Sequence, residues 1–308
     1  METEALEKMA DALQGSGMYR VLKRFERPSR YAEEDDTPKK LALVVDIETT
    51  GKNPRHDAII QFCGVPFEYS ATTGQVYRVD EAVTFLEDPR RPIPPEITAL
   101  TGLRDQDVAG KRIEDEVVRA LLGDVALVIA HNAGFDRKFL ERRLPAFKDR
   151  PWACSLAEAP WQGEGFSSAA LEFLLYKKCG MFMDAHRADE DCHAVIHLLA
   201  TPFASGQLPL KALLESARKK AVRIWAVDAR FDFKEILKQR RYRWNSGEDG
   251  RPRAWYIEVP EGAAEEECGW LKDTVYGGRA GGWKTDSLDA YTRYSDRVNQ
   301  PVACLSVA

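Results

Sequence analysis

The chain has 308 residues, of which 44% are hydrophobic and 30% charged, with a formal net charge of −5. That much apolar material builds one large domain or two ordinary ones, which excludes an intrinsically disordered chain and a disulfide-stapled miniprotein. Apolar runs such as Leu41 to Val45 and Val125 to Ala130 fall far short of the roughly 20 residues that a membrane helix needs. The Met-Glu-Thr-Glu start lacks the basic and apolar regions of a secretory signal, so a cytoplasmic protein with no membrane contact is expected.

Six cysteines occur without a Cys-x-x-Cys pair, which argues for buried free thiols rather than a zinc ribbon or a disulfide framework. Charge is uneven along the chain. Residues 1–210 carry 26 Lys and Arg against 34 Asp and Glu, whereas residues 211–308 carry 18 against 15. The basic excess concentrates between Ser216 and Arg253, a split that points to two units with different jobs.

Residues 3–14 read as a short amphipathic helix with Leu6, Met9, Ala10 and Leu13 on one face. After a Gly-Ser-Gly break, Tyr19 to Phe25 reads as a strand or docking arm, and the polar, Pro-containing stretch to Lys40 as a linker or solvated loop. Leu41 to Ile47, Gln61 to Glu68 and Gln75 to Phe85 predict three strands of an antiparallel meander. Pro94-Pro-Glu-Ile opens a helix. A helix over 113–122, a buried strand over 125–130, a helix over 135–143, a short strand over 152–155 and helices near 167–175 and 187–200 follow. The expected fold is an α/β domain with a mixed sheet flanked by helices, over residues 41–205 after an N-terminal arm of 1–40.

Residues 206–220 read as a connecting helix that leads outward to a smaller α+β module over 221–308. A strand over 222–227 precedes a helix N-capped by Asp232 and stapled by Phe231 and Ile236. A hairpin around Glu248-Asp-Gly250 and a helix over 264–276 complete a β-α-β-β-α order. The Gly-rich stretch 277–283 reads as a mobile loop, and 286–297 as a closing helix.

Chemistry concentrates in three places. Asp46-Ile-Glu48-Thr-Thr-Gly51 ends the first long strand, so two carboxylates leave one face of the sheet together, just before a Gly turn. Two such acids repel each other unless a cation lies between them. His131-Asn-Ala-Gly-Phe-Asp136 follows the buried strand at 125–130 and places Asp136 in the first turn of a helix. His186-Arg-Ala-Asp-Glu-Asp191 places an imidazole on a loop and Asp191 in the next helix, a pairing suited to proton abstraction beside a metal. Each motif alone is commonly structural: a solvated strand end, an acid at a helix start, a stray His-x4-Asp.

Together, and in this order, they resemble the DEDDh 3′–5′ exonucleases of the DnaQ-like superfamily. Asp46, Glu48, Asp136 and Asp191 match that family's four acids and His186 its histidine. Thr98 to Val108 and Leu171-Glu-Phe-Leu match the intervening segments, so that the resemblance covers roughly 41–201. It implies an RNase H-like fold and hydrolysis of 3′-terminal phosphodiesters to nucleoside 5′-monophosphates. It implies two Mg²⁺ or Mn²⁺ ions held by the four acids, with His186 as base. By the same analogy Thr49 and Thr50 contact the terminal nucleotide, and Asn132 and Phe135 line the path of the strand. The extra acids Asp189 and Glu190, beside Asp191, are either solvated or bear on the metal preference.

In the C-terminal module, Lys238, Arg241, Arg243, Trp244 and Trp255 interleave cations and rings in the manner of single-strand binding. The other reading is a small aromatic core with a solvated basic face. Over a short stretch the pattern is similar to HARP-type modules of DNA-remodelling ATPases. The expected partner is a single-stranded 3′ end, DNA ahead of RNA, and the resemblance brings in a homodimer and a polymerase or repair complex as further partners. The alternatives are RNA 3′-end trimming and a polymerase-associated binding subunit.

Overall fold

The protein is described from a computed structural model over residues 2–184, 187–279 and 281–297. Helix α1 (Glu2–Gly15) ends at the Gly-Ser-Gly break, and the arm after it contributes β1 (Lys23–Arg24). The main body then runs β2 (Lys39–Thr49), β3 (Ile59–Ser70), β4 (Val76–Val79), β5 (Val83–Leu86), α2 (Pro95–Thr101), α3 (Asp105–Val108), α4 (Asp115–Leu122) and β6 (Val125–Ala130). It continues with α5 (Ala133–Arg143), β7 (Trp152–Cys154), α6 (Ser155–Glu158), α7 (Leu171–Leu174), β8 (Met181–Phe182), α8 (Ala188–Ala200) and α9 (Pro209–Ala217).

Among the described residues, the principal sheet has the order β4-β3-β2-β6-β7, with β5 also paired to β3. β3 is antiparallel to β2, whereas β6 and β7 run parallel to it, so the sheet is mixed. β2 is its spine because Leu41 to Val45 offers apolar side chains to both faces. Ala42 and Val44 pack with Val195, Ile196 and Leu199 of α8, while Leu43, Val45 and Ile47 pack with Val118 and Leu122 of α4 and Phe139 and Leu140 of α5. Each such Val, Leu or Ile contributes about 1.5–3 kcal/mol on burial. Helices therefore cover both faces, and the even-numbered side of β2 looks toward α8.

Several segments depart from their sequence pattern. Residues 75–85 form two strands rather than one, divided at Asp80-Glu81, a pair poorly suited to a buried ladder. The polar stretch before Lys40 is no free linker, since it lies along the β4 edge. There the Tyr31 amide donates to Tyr77 O at 2.8 Å, the Val79 amide to Ser29 O at 2.9 Å and the Tyr77 hydroxyl to Asp35 at 2.8 Å. That segment occupies the hydrogen bonds an edge strand leaves open. Helix α9 does not lead outward: Leu210, Leu213, Leu214 and Ala217 sit at helical spacing and are buried in the α8 core.

The C-terminal module comprises β9 (Ala221–Ala226), α10 (Lys234–Gln239), β10 (Arg243–Trp244), β11 (Trp255–Pro260), α11 (Ala264–Trp270) and β12 (Lys284–Leu288). Its sheet order is β10-β11-β9-β12. Asp232 bonds Arg230 instead of capping α10, and Phe231 is 80% exposed, so the staple with Ile236 is absent. Phe231–Phe233 forms a 3-10 turn that moves the helix start to Lys234. β12 replaces the predicted loop-to-helix transition and pairs antiparallel with β9, which adds a closing strand to the β-α-β-β-α order. Its polar sequence, Lys-Thr-Asp-Ser-Leu, hid an edge strand. Residues 289–295 then form turns against the main body, where the Trp152 amide donates to Ala290 O at 2.7 Å.

Candidate active site

Asp46 and Glu48 lie on the α8 side of β2, two residues apart and so on one face. The β2–β3 register slips between Glu48 and Thr49, a bulge that ends regular pairing beside the carboxylates and re-aims the chain toward Gly51. Asp191 enters from the first turn of α8. One oxygen from each of Asp46, Glu48 and Asp191 lies within 4.8 Å of the others. Asp136, 3% exposed, joins from the first turn of α5, and its carboxylate accepts from the Ile47 amide and from its own. Asn132 makes the turn into α5 at φ +82°, a left-handed conformation that Asn tolerates better than most residues.

Crowding these acids out of water sets the site's electrostatics. Burial holds the Asp46 carboxyl well above its ordinary value, and the charges of Asp136, Asp191 and Glu48 push it further. Glu48 is pushed up to about 8 by burial, then by Asp191 and Asp136. Asp136 is likewise pushed up to about 8, by burial, against the pull of the two amides. A divalent cation would relieve this repulsion, and an oxygen-only donor set suits a hard ion such as Mg²⁺ or Mn²⁺. The residues present therefore fit such an ion, with Asp46, Glu48 and Asp191 placed to hold it.

The acids line a cleft of about 410 Å³ together with Thr49, Asn132 and Phe135. The same cleft includes Lys52, Ile97, Leu100 and His131, which the motif spacing alone does not single out. Ile97 and Leu100 stand three apart on α2, and Leu100 keeps 49% of its surface exposed, an apolar wall facing the carboxylates. His131 Nε2–H donates to Ala169 O and its Nδ1 accepts from Ser155 Oγ, both at 2.8 Å. Burial lowers its pKa to about 4, so this imidazole is a neutral prop and not a base. Thr50 does not line the cleft, since its hydroxyl accepts from Arg91 at 2.6 Å and from the Ala58 amide at 3.0 Å, which anchors the 50–58 loop. His186 lies outside the described residues. Asp189 and Glu190 pair with Arg27 of the arm, at 2.7 and 3.6 Å.

In the module, the Arg243 guanidinium lies 4.9 Å above the Tyr256 ring. Trp244, half exposed, meets Trp255 at 5.5 Å between centroids, and Trp255 packs on the module's core. Lys238 pairs with Glu235 at 3.3 Å, and Arg241 stands exposed at the turn after α10. Tyr242 is core, its hydroxyl donating to Glu267 at 2.8 Å.

Carboxylates gathered at the end of a central strand, in a cleft that joins polar groups to an apolar wall, are an arrangement that could hold a divalent cation. Comparison with known proteins gives the protein's kind: the chain belongs to the RNase_T exonuclease family, whose model matches residues 43–199. It is 29% identical over 169 residues to the DNA polymerase III subunit epsilon of Treponema pallidum, covering 52% of this chain and 74% of that one. It is 30% identical over 145 residues to a PolC-type DNA polymerase III of Thermotoga petrophila, covering 46% of this chain and 9% of that one. Among solved structures, a complex of E. coli exonuclease I with single-stranded DNA superposes with a TM-score of 0.47 at 17% identity, covering 72% of this chain and 63% of that one. No described helix is long and apolar enough to cross a membrane.

Proposed function

We propose that this exonuclease hydrolyses DNA from the 3′ end and releases nucleoside 5′-monophosphates, with Mg²⁺ or Mn²⁺ as cofactor. The observation that carries the reading is the partly buried Asp46–Glu48–Asp191 cluster, with Asp136 beside it, in one cleft with Thr49, Asn132 and Phe135. When bound, divalent ions supply Lewis-acid stabilisation of charge on the scissile phosphate and a more acidic water. The chain's own residues do the rest. Asp46, Glu48 and Asp191 would hold the ions and Asp136 would complete the negative wall. The His186 imidazole takes the proton of the attacking water at a ring nitrogen as the bond from phosphorus to the 3′ oxygen breaks. Thr49 and Asn132 offer polar contacts to the terminal nucleotide, and Phe135 with Leu100 presents apolar surface to its base.

DNA is favoured over RNA because the matched relatives are named as a PolC-type DNA polymerase III and a DNA polymerase III subunit epsilon, a likeness that also makes a polymerase or repair complex the proposed setting. Arg243, Trp244, Trp255, Lys238 and Arg241 make the module the proposed holder of the strand. The test is purified protein with matched 5′-labelled single-stranded DNA and RNA, in Mg²⁺, Mn²⁺ or EDTA, beside Asp191→Ala. A metal-dependent ladder shrinking from the 3′ end, lost in the variant and stronger on DNA, is the expected result. Cleavage that survives Asp191→Ala would sink the site assignment, and preference for RNA would turn the reading to 3′-end trimming.

A further inference from the structure

Beside the catalytic cleft lies a second, larger groove of about 600 Å³, closed on one side by the 52–57 loop and on the other by the hairpin loop of the C-terminal module. Lys52 lines both cavities, so the two adjoin at that residue. Lys138, on α5 two residues after Asp136, and Asp296 also line the groove. Arg55 reaches across it: a methyl group built on Gly250 would stand 3.8 Å from its Nη2. The groove is therefore a joint product of the exonuclease domain and the module, a relationship that no single motif displays.

Its chemistry is that of a polyanion's backbone rather than of bases or an apolar peptide. Asn53, Arg55, His56, Asn245 and Ser246 are polar, and among the described residues Pro54 is the one apolar residue that lines it. Most of its acids are already compensated. Asp57 accepts from Arg91 at 2.9 Å and from the Asn53 amide at 2.8 Å. Asp249 accepts from Asn245 at 3.0 Å and from Arg251. Asp296 lies 3.2 Å from both Lys138 and Arg251. Among the described residues, the side chains of Lys52, Arg55 and Glu248 have no such partner. A ligand thus meets two uncommitted cations and one uncommitted acid, beside hydroxyl and amide groups.

We propose that this groove holds the phosphodiester backbone of the substrate strand upstream of its 3′-terminal nucleotides, with Lys52 at the passage from the cleft and Arg55 as a phosphate contact. The inference rests on the reading of the chain as a nucleic-acid exonuclease, and it makes the hairpin loop, rather than α10, the part of the module nearest the scissile end. Binding here lengthens the strand the enzyme grips without altering the chemistry at the acids. It predicts a dependence on substrate length that an isolated exonuclease domain lacks.

The test uses the full chain with 5′-fluorescent oligothymidylates of three and fifteen nucleotides, bound in EDTA and followed by anisotropy over a range of salt. Arg55→Ala should weaken the fifteen-mer roughly tenfold, as loss of a charge-assisted contact does, and leave the trimer unchanged. The slope of log affinity against log salt should fall by about 0.7, the value for one single-strand phosphate. Glu248→Gln should tighten the fifteen-mer alone, a gain that an unfolded variant would not give. Equal effects on both lengths, or none on the longer, would overturn the groove. Metal-dependent cleavage of the trimer by the unaltered protein reports separately on the catalytic reading, so failure of one is distinguishable from failure of the other.

Discussion

The Arg137 guanidinium, with no exposed surface, donates to the backbone carbonyl of Arg293 at 2.7 Å and thereby ties the helix that carries Asp136 to the turns after β12. It also donates to the carbonyls of Tyr291 and Ala290, and at 2.7 Å to Glu141, which in turn accepts from Ser295. The C-terminal segment is thus part of the exonuclease domain's interior. Glu158 repeats the arrangement by accepting from Arg293 and Tyr294.

Removing one member of so buried a network is costly because the rest stay buried and unpaired. Arg137→Leu should lower the unfolding free energy by about 3–5 kcal/mol, measured by urea denaturation. Truncation after Leu288 removes the same carbonyls, so Arg137→Leu should cost less in the truncated chain than in the full one. Equal losses in both would show that Arg137 acts within α5 alone. The same contacts make wholesale deletion of residues 221–308 a poor probe of the module, since it would strand Arg137 and Glu141.

The acid cluster predicts an inverted pH dependence in the metal-free protein. Glu48 and Asp136 have folded pKa values of about 8, above the ordinary carboxyl range. The unfolded chain therefore loses these protons first as pH rises, and stability falls between roughly pH 4.5 and 8. In EDTA, the melting temperature of Glu48→Gln should exceed that of the unaltered chain, with the gap widening from pH 5 to 8. Added Mn²⁺ should raise the melting temperature of the unaltered chain most at pH 8, where fewer protons compete for the carboxylates than at pH 5, and that of Glu48→Gln far less. A gap that does not change with pH would contradict the electrostatic origin.

How much of this was legible in the sequence depends on the kind of signal each residue carries. Strand β2 and the acids at its end announce themselves, because a continuous apolar run followed by Asp-x-Glu-x-x-Gly fixes both a buried strand and the shared face of Asp46 and Glu48. Asp136 and Asp191 were readable from their places after a strand and at a helix start. β12 was not, since an edge strand of polar residues has no periodic apolar face and takes its stability from pairing with β9. Nor was the pairing of Arg27 with Asp189, which joins residues 162 positions apart. Thr50 shows the limit of carrying a motif over residue by residue. Its neighbour Thr49 lines the cleft, whereas its own hydroxyl is consumed by Arg91, a partner that no local pattern indicates.

His131 predicts a second pH effect, of opposite sign. Its imidazole is neutral in the fold, with a pKa lowered to about 4, while the unfolded side chain titrates near its ordinary value. Between about pH 6.5 and 4 the unfolded state binds more protons, so this residue's contribution is complete above that window and is lost as pH falls through it. Half-buried His193, lowered to about 4, and His197 act in the same direction. His131→Gln should flatten the loss of stability between pH 6.5 and 4.5, followed by urea midpoints. An unchanged slope would remove His131 from the account.

The closing strand supplies the last prediction. A methyl group at Gly282 runs into the Tyr276 ring, whose hydroxyl donates to Val227 O at 2.6 Å and whose neighbour Trp283 packs on the module's core. The close approach of this backbone to an anchored aromatic ring is what lets β12 reach β9. Gly282→Ala forces that ring to move or the strand to shift, at a cost of about 1–3 kcal/mol for an overpacked site. Hydrogen exchange should show it locally: amides of β12 and of the facing part of β9 lose protection while those of β2 and β3 keep theirs. Gly281→Ala serves as the control for backbone strain, because Gly281 has φ +96° but nothing within 4 Å of an added methyl. If the two variants behave alike, conformational freedom and not the Tyr276 contact sets the requirement for glycine at this turn.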